Sequence, residues 1–165
     1  MFELSNRNVT TYDLEIICTF PQSPEELFYL GPKFTYPLTT DQIQLNLKSR
    51  YSSTVIVKDN DIPIAFANLF DVNYEEQTCY LENVIVSNSG RGHGVSTYLL
   101  ITMINKAIDE HNLKKLKLFC HNTNTRALLF YSKNGFTPCG SKITENHEGK
   151  KIVAIEMVKE IDTMG

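Results

Sequence analysis

Apolar positions fall into two rhythms along this chain. Between residues 53 and 86 they come in short runs rich in β-branched and aromatic side chains. Three strands are predicted there: Ser53–Val57, Ile62–Leu69 and Thr78–Val86, the last the strongest. Asp59-Asn60-Asp61 reads as the first turn between them and the polar stretch Asp71–Glu76 as the second. From Gly94 to His111 the period changes to that of a helix. Val95, Leu99, Met103, Ile104, Ala107 and Ile108 share one face. Alternation returns at Leu116, Leu118 and Cys120, set against Lys115, Lys117 and Phe119. A second helix is predicted from Asn124 or Thr125 to Lys133, ended by Asn134-Gly135. Phe136 opens a further strand, Asn146–Lys150 is a turn, and Ile152–Val158 is the last strand.

The first 50 residues are less regular. Ser23-Pro24-Glu25-Glu26 has the form of a helix start: a capping hydroxyl, a proline at the first helical position and acids in the first turn. A helix over Pro24–Leu30 is expected, stopped by Gly31-Pro32. Another begins near Thr39 or Thr40 and carries Ile43, Leu45 and Leu47. The strand–helix–strand unit from Tyr80 to Cys120 favours a right-handed parallel crossover. Elsewhere short connections favour antiparallel pairing. The expected fold is α/β: one domain over residues 1–165 with a mixed, mostly antiparallel sheet flanked by helices.

Composition adds a few exclusions. With 42% hydrophobic and 21% charged residues, the 165-residue chain has the balance of a globular domain able to bury a core. A formal net charge of -3 lacks the basic footprint of a nucleic-acid binder. No apolar run approaches the ~18 residues of a membrane span, and MFELSNRNVT lacks the basic-then-apolar form of a signal peptide. A cytoplasmic protein is expected. Cys18, Cys79, Cys120 and Cys139 form no CxxC pair, and neither they nor the histidines show metal-ligand spacing. No metal is expected, and Cys79 and Cys120 read as buried free thiols.

The segment Arg91-Gly92-His93-Gly94-Val95-Ser96 joins the strongest strand to the longest helix. Glycines here let successive N–H groups converge on an anion at a helix N-terminus, and Arg91 adds charge. A P-loop is excluded because Gly-Lys-Ser/Thr is missing. A dinucleotide fingerprint starting at Gly92 fits poorly, since Thr97 stands where its last glycine should be. From the loop alone, a phosphate cradle and a purely structural turn both remain open.

A second segment narrows the choice. The loop is similar to the acetyl-CoA loop of the GNAT N-acetyltransferase superfamily, Gln/Arg-x-x-Gly-x-Gly/Ala, with Arg91 and Gly94 in register and Ser96 in place of the last small residue. Downstream, Asn124-Thr125-Arg126-Ala127-Leu128-Leu129-Phe130-Tyr131-Ser132-Lys133-Asn134-Gly135-Phe136 resembles the superfamily's Asn-x-x-Ala-x-x-x-Tyr-x-x-x-Gly-Phe at every named position. The resemblance implies an acyl-CoA N-acyltransferase-like fold with acetyl-CoA as donor cosubstrate. It places Arg91, Gly92, His93, Gly94, Val95 and Ser96 at the pyrophosphate. It places backbone groups of Val84, Ile85 and Val86 at the thioester and pantetheine arm, and Asn124, Ala127 and Tyr131 along the same cofactor.

Acyl transfer to an amine needs a neutral amine, a polarised carbonyl and a protonated leaving thiolate. Glu82 is a carboxylate inside an apolar strand, a costly position unless it faces a partner or a cleft. It is the first candidate for the base. Tyr131 is implied as the general acid by the resemblance; on its own it reads first as an amphipathic core tyrosine on a helix. His121 is a weaker base candidate at a strand end. His93 and His147 read as solvent-facing, and His111 as a helix-end residue. For the acceptor, Phe28, Tyr29, Phe34 and Tyr36, with Glu25 and Glu26, are the side chains available in the early helices. The expected activity is direct acetyl transfer to a primary amine of a small molecule. The alternatives are a protein N-terminal or lysine acetyltransferase and a non-catalytic acyl-CoA-binding sensor. A homodimer is compatible with the fold.

Overall fold

The computed structural model describes residues 3–161. Its centre is one seven-stranded sheet in the order β1-β2-β3-β4-β5-β7-β6. The strands are β1 (Leu4–Asn8), β2 (Arg50–Lys58), β3 (Ile62–Asn73), β4 (Thr78–Val86), β5 (Lys115–His121), β6 (Thr137–Glu145) and β7 (Lys151–Glu160). Only β4 and β5 pair in parallel; every other neighbour pair is antiparallel. The helices are α1 (Leu14–Ile17), α2 (Pro24–Leu30), α3 (Thr40–Leu47), α4 (Val95–His111) and α5 (Thr125–Lys133).

Strand alternation sorts the sheet into two apolar faces. Ile56, Ala67, Leu69, Cys79, Leu81, Leu116 and Leu118 pack with Val95, Leu99, Met103 and Ala107 of α4. Val55, Val57, Phe66 and Ile85 point the other way, onto Leu14, Ile17, Leu27, Leu30 and Ile43 of α1–α3. Burial of this kind stabilises by about 25 cal/mol per Å² of apolar surface. The faces are covered unequally: among the described residues α2 reaches β5 at its end, where Phe28 and Tyr29 pack on His121. On that face β6 is exposed along almost its whole length.

Helix starts follow the expected chemistry. Ser23 Oγ accepts from the Glu26 amide at 3.1 Å ahead of Pro24. Thr39 Oγ1 accepts from Gln42, and Asn124 Oδ1 accepts from Ala127. The apparent alternation of Ile43, Leu45 and Leu47 is incidental to a helix that buries Ile43 and leaves Leu45 69% exposed.

Several boundaries differ from the sequence reading. β2 starts at Arg50, and β7 runs from Lys151 to Glu160. β3 continues through Asp71 to Asn73, so the turn is confined to residues 74–77. Polar residues at the end of a long hairpin strand sit outside the core, where they look like loop. β1, together with the short turn Thr11–Asp13 and α1, was not predicted. As an edge strand with a mostly exposed, polar sequence it carries no hydrophobic period. It is held by Arg7, which forks onto Asp13 at 2.7 and 2.9 Å and reaches Asp61 at 2.7 Å.

Candidate active site

The parallel pair β4–β5 is in register only from Thr78–Lys115 to Tyr80–Lys117. Beyond Tyr80 the two strands part, and a cleft of about 830 Å³ enters between them. Leu81, Glu82, Val84, Ile85 and Val86 form one wall, and Leu118, Phe119, Cys120 and His121 the other. Residues Asn124, Ala127 and Tyr131 of α5 and Ser96 of α4 close it behind; Tyr29, Gly31 and Phe34 close it in front.

β4 is bent at the mouth of the split. Between the pairs Phe66–Ile85 and Asn68–Glu82, β4 carries one residue more than β3. This is a β-bulge, and Asn83 occupies it with φ +57°. Asparagine tolerates that conformation better than most residues. Its amide also ties the surroundings together. Asn83 Oδ1 accepts from Asn68 Nδ2 at 2.9 Å, Asn46 Nδ2 at 3.0 Å and Arg50 Nε at 3.3 Å, and its Nδ2 donates to the Leu30 carbonyl at 2.9 Å. The end of α2 comes close at Gly31, where an added Cβ would lie 2.7 Å from the Phe34 ring and 3.1 Å from Asn83 Nδ2. Sequence reasoning passed over Asn83 and Arg50; an asparagine next to Glu82 in an apolar strand was the available signal.

Glu82 lines the cleft with its side chain 31% exposed. Burial pushes its carboxyl above the ordinary carboxylate range, against the opposing pull of Arg50 and Lys33. Arg50 Nη2 is 3.2 Å from Glu82 Oε1, and its guanidinium lies 4.0 Å above the Phe70 ring. Tyr131 is buried against Phe130 and Phe136. Its hydroxyl has no hydrogen-bond partner among the described residues, and burial, with Cys120 adjacent, raises its pKa well above that of a free phenol. Cys120 is pushed up to about 11 by burial, so it stays a thiol at neutral pH.

Of the glycine loop, Arg91 and Ser96 line the cleft; Gly92, His93, Gly94 and Val95 do not. Val95 turns into the core at 1% exposure. Gly92 and Gly94 have φ of +81° and +74°, and an added Cβ at either meets no described atom within 4 Å. Their contribution is backbone shape at the start of α4. Arg91 is 3.2 Å from Glu26 at the front of α2. His121 reaches the cleft, 4.5 Å from the Phe28 ring, and burial and Lys142 both lower its pKa. Glu25, Glu26, Tyr29 and Phe34 line the cleft, whereas Phe28 is buried and Tyr36 is half-exposed elsewhere. His111 hydrogen-bonds Ser52 and Tyr74 at the end of α4, remote from the cleft. Among the described residues there is no cluster of three or more metal-ligating side chains.

The family model for GNAT acetyltransferases matches residues 11–136. The chain belongs to the GNAT acetyltransferase family. Solved structures agree in fold at low identity. The spermidine N-acetyltransferase of Vibrio cholerae, in complex with CoA and spermine, is 19% identical with a TM-score of 0.80, over 95% of each chain. The ribosomal-protein-S18-alanine N-acetyltransferase of Escherichia coli is 19% identical with a TM-score of 0.75, over 99% of this chain and 97% of that one. One relative is named for a small polyamine and the other for a protein, so the fold itself does not select the acceptor.

The GNAT residues present fit an acetyl-CoA cosubstrate. The split strands give a long slot lined on one side by strand backbone not paired to β5. The two positive-φ glycines leave the backbone beside Arg91 uncovered by side chains. The Tyr131 hydroxyl is unpartnered within the slot.

Proposed function

We propose that this GNAT protein transfers an acetyl group from acetyl-CoA directly to the primary amine of a small molecule, with Glu82 as base and Tyr131 as acid. The observation that carries the reading is the placement of these two side chains on the walls of one cleft, at the point where β4 and β5 separate.

Arg91, Ser96 and the backbone of Gly92–Gly94 would hold the pyrophosphate. Val84–Val86, Asn124 and Ala127 would flank the pantetheine arm. The cosubstrate supplies the acyl group as a thioester. Glu82, made more basic by burial and opposed in this by Arg50 and Lys33, takes a proton from the ammonium of the acceptor. The bulge at Asn83 interrupts the β3–β4 ladder beside the slot, where β4 amides would polarise the carbonyl. Tyr131, kept protonated by its apolar surroundings, holds a proton for the departing sulfur. Direct transfer is favoured because Cys120, the thiol on the cleft wall, is held protonated. A small acceptor is favoured because the cleft, of small-ligand size, is fronted by Tyr29 and Phe34.

The test is amine-dependent thiol release from acetyl-CoA across amino acids, polyamines, alkylamines and peptides. Release that Glu82→Gln and Tyr131→Phe both suppress supports the reading. Tight CoA binding with no transfer to any amine, unchanged by either substitution, identifies a sensor instead.

A further inference from the structure

The acceptor half of the cleft differs in charge from what an oligoamine needs. Starting under Phe28 and Tyr29 of α2 and running outward, three strands place His121, Ala154 and Lys142 in one cross-strand row: His121 pairs with Ala154, and Ala154 with Lys142. All three line the cleft. Ala154 is the small member, so the row forms a notch with a lysine on one side and an imidazole on the other. Lys142 is anchored there, its Nζ 4.4 Å from the centre of the Phe119 ring, which stacks on Tyr80 at 5.5 Å. Among the described residues Lys142 forms no ion pair, nor does Lys33 near Glu82.

Three carboxylates of this region are already engaged. Glu82 is bound by Arg50, Glu156 accepts from the Tyr80 hydroxyl, and Glu26 is bound by Arg91. Glu25 stands beside Glu26 in the first turn of α2, at the Arg91 end. A chain of ammonium groups entering beside Glu82 therefore meets Lys33, Arg50 and Lys142 on the cleft wall; of the described acids without an ion pair, Asp71 near Tyr80 does not line the cleft and Glu25 lines it at the Arg91 end. An acceptor with one amine and one anionic group meets the reverse: a base for the amine and an unpaired lysine for the anion.

We infer that the acceptor is an amino acid–type molecule whose amine reaches Glu82 while its carboxylate is held by Lys142 over Ala154, with the His121 ring beside it. The Phe119–Tyr80 stack, with Phe119 41% exposed, offers an apolar wall for whatever joins the two groups. This rests on the N-acetyltransferase reading above and narrows its substrate. Lys142 is a binding residue for specificity and takes no part in proton transfer.

The test uses the full chain, acetyl-CoA and matched amines: phenylalanine against phenylalaninamide, and β-alanine, 4-aminobutyrate and 6-aminohexanoate each against its amide, with spermidine as the oligoamine. In at least one pair the carboxylate form should exceed its amide in kcat/KM by about tenfold, the ratio that one good charge-assisted contact of about 1.4 kcal/mol gives. Lys142→Met should bring that carboxylate form down to its amide, mainly through KM, and Lys142→Arg should restore part of the difference. Amides or spermidine preferred over every carboxylate partner overturns the inference and leaves amine acetylation standing. A preference that persists unchanged in Lys142→Met also overturns it. No transfer to any of these amines overturns the N-acetyltransferase reading with it.

Discussion

Arg50 and Glu82 reach each other across the intervening strand β3, with Nη2 3.2 Å from Oε1. The same guanidinium donates through Nε to Asn83 Oδ1 at 3.3 Å and through Nη1 to Ser49 Oγ at 2.7 Å, while its plane rests on Phe70. The guanidinium is therefore fixed independently of Glu82. Arg50 thus opposes part of the rise in Glu82 basicity that burial confers.

That balance sets a pH dependence. Burial raises the Glu82 pKa and Arg50 lowers it, with the raising effect larger. As the proposed base, Glu82 acts when ionised, so kcat/KM for acetyl transfer should fall as pH drops through a value raised from that of a free carboxylate. Arg50→Met removes the opposing charge. The acid limb should then move to higher pH, and Glu82→Gln should lose about 10²-fold or more in rate at neutral pH. A pH–rate profile of the three proteins checks this. An acid limb that stays in place without Arg50 would assign it to another group.

Tyr131 offers a cleaner separation of activity from stability. Its hydroxyl makes no hydrogen bond to the described protein, and its ring packs between Phe130 and Phe136. Tyr131→Phe therefore leaves no polar partner stranded, and its stability should change by no more than about 0.5 kcal/mol. Loss of the proposed proton donor should lower kcat by about 10²-fold, with CoA affinity retained. Thermal melts, CoA titration and single-turnover thiol release measure the three quantities. Because burial raises the Tyr131 pKa far above that of a free phenol, the wild-type rate should show no loss from its ionisation through mildly alkaline pH.

The long periodic elements were legible in the sequence because burial dictates their pattern. β4 was read to the residue, and α4 and α5 to within one; Ser23 caps α2 as read, and Thr39 and Asn124 are each one of the two residues offered for their helix starts. β1 was not legible, since an exposed edge strand has no apolar face to reveal it. The positions proposed for the cofactor came from two short motifs. Within the glycine loop the structure separates residues that line the cleft, Arg91 and Ser96, from those that shape backbone or fill the core, Gly92, Gly94 and Val95. Arg50, Asn83 and Lys142 were missed because their meaning comes from neighbours 33, 37 and more residues away, or from a strand register that no local pattern encodes.

Asp13 should govern acid stability. It is 3% exposed and accepts from both Nη atoms of Arg7 and from the Thr10 amide. Burial pushes its carboxyl up, but Arg7 and Thr10 together outweigh this and leave it below the usual value. A depressed folded-state pKa stabilises the fold above the unfolded value, and that contribution is lost as pH falls through the folded value. Asp13→Asn should cost about 2 kcal/mol at pH 7 and progressively less as the pH approaches that folded value. Urea denaturation of both proteins at several pH values gives the difference; a cost independent of pH would show that the ionised carboxylate is not its source.

Asn83 combines a backbone role with a side-chain role, and substitutions can divide them. Its φ of +57° suits asparagine or glycine, and its amide satisfies Asn46, Arg50, Asn68 and the Leu30 carbonyl at once. Asn83→Gly keeps the bulge conformation and strands those partners, at a cost of about 2–3 kcal/mol. Asn83→Ala adds the strain of a left-handed alanine, about 1 kcal/mol more. Both should slow acetyl transfer, because the bulge sets where the Glu82 carboxylate and the Val84–Val86 backbone face the slot. Chemical denaturation orders the two variants, and the acid limb of the pH–rate profile reads Glu82 in each. If the bulge positions Glu82, glycine should retain the wild-type acid limb more closely than alanine, despite losing the same hydrogen bonds.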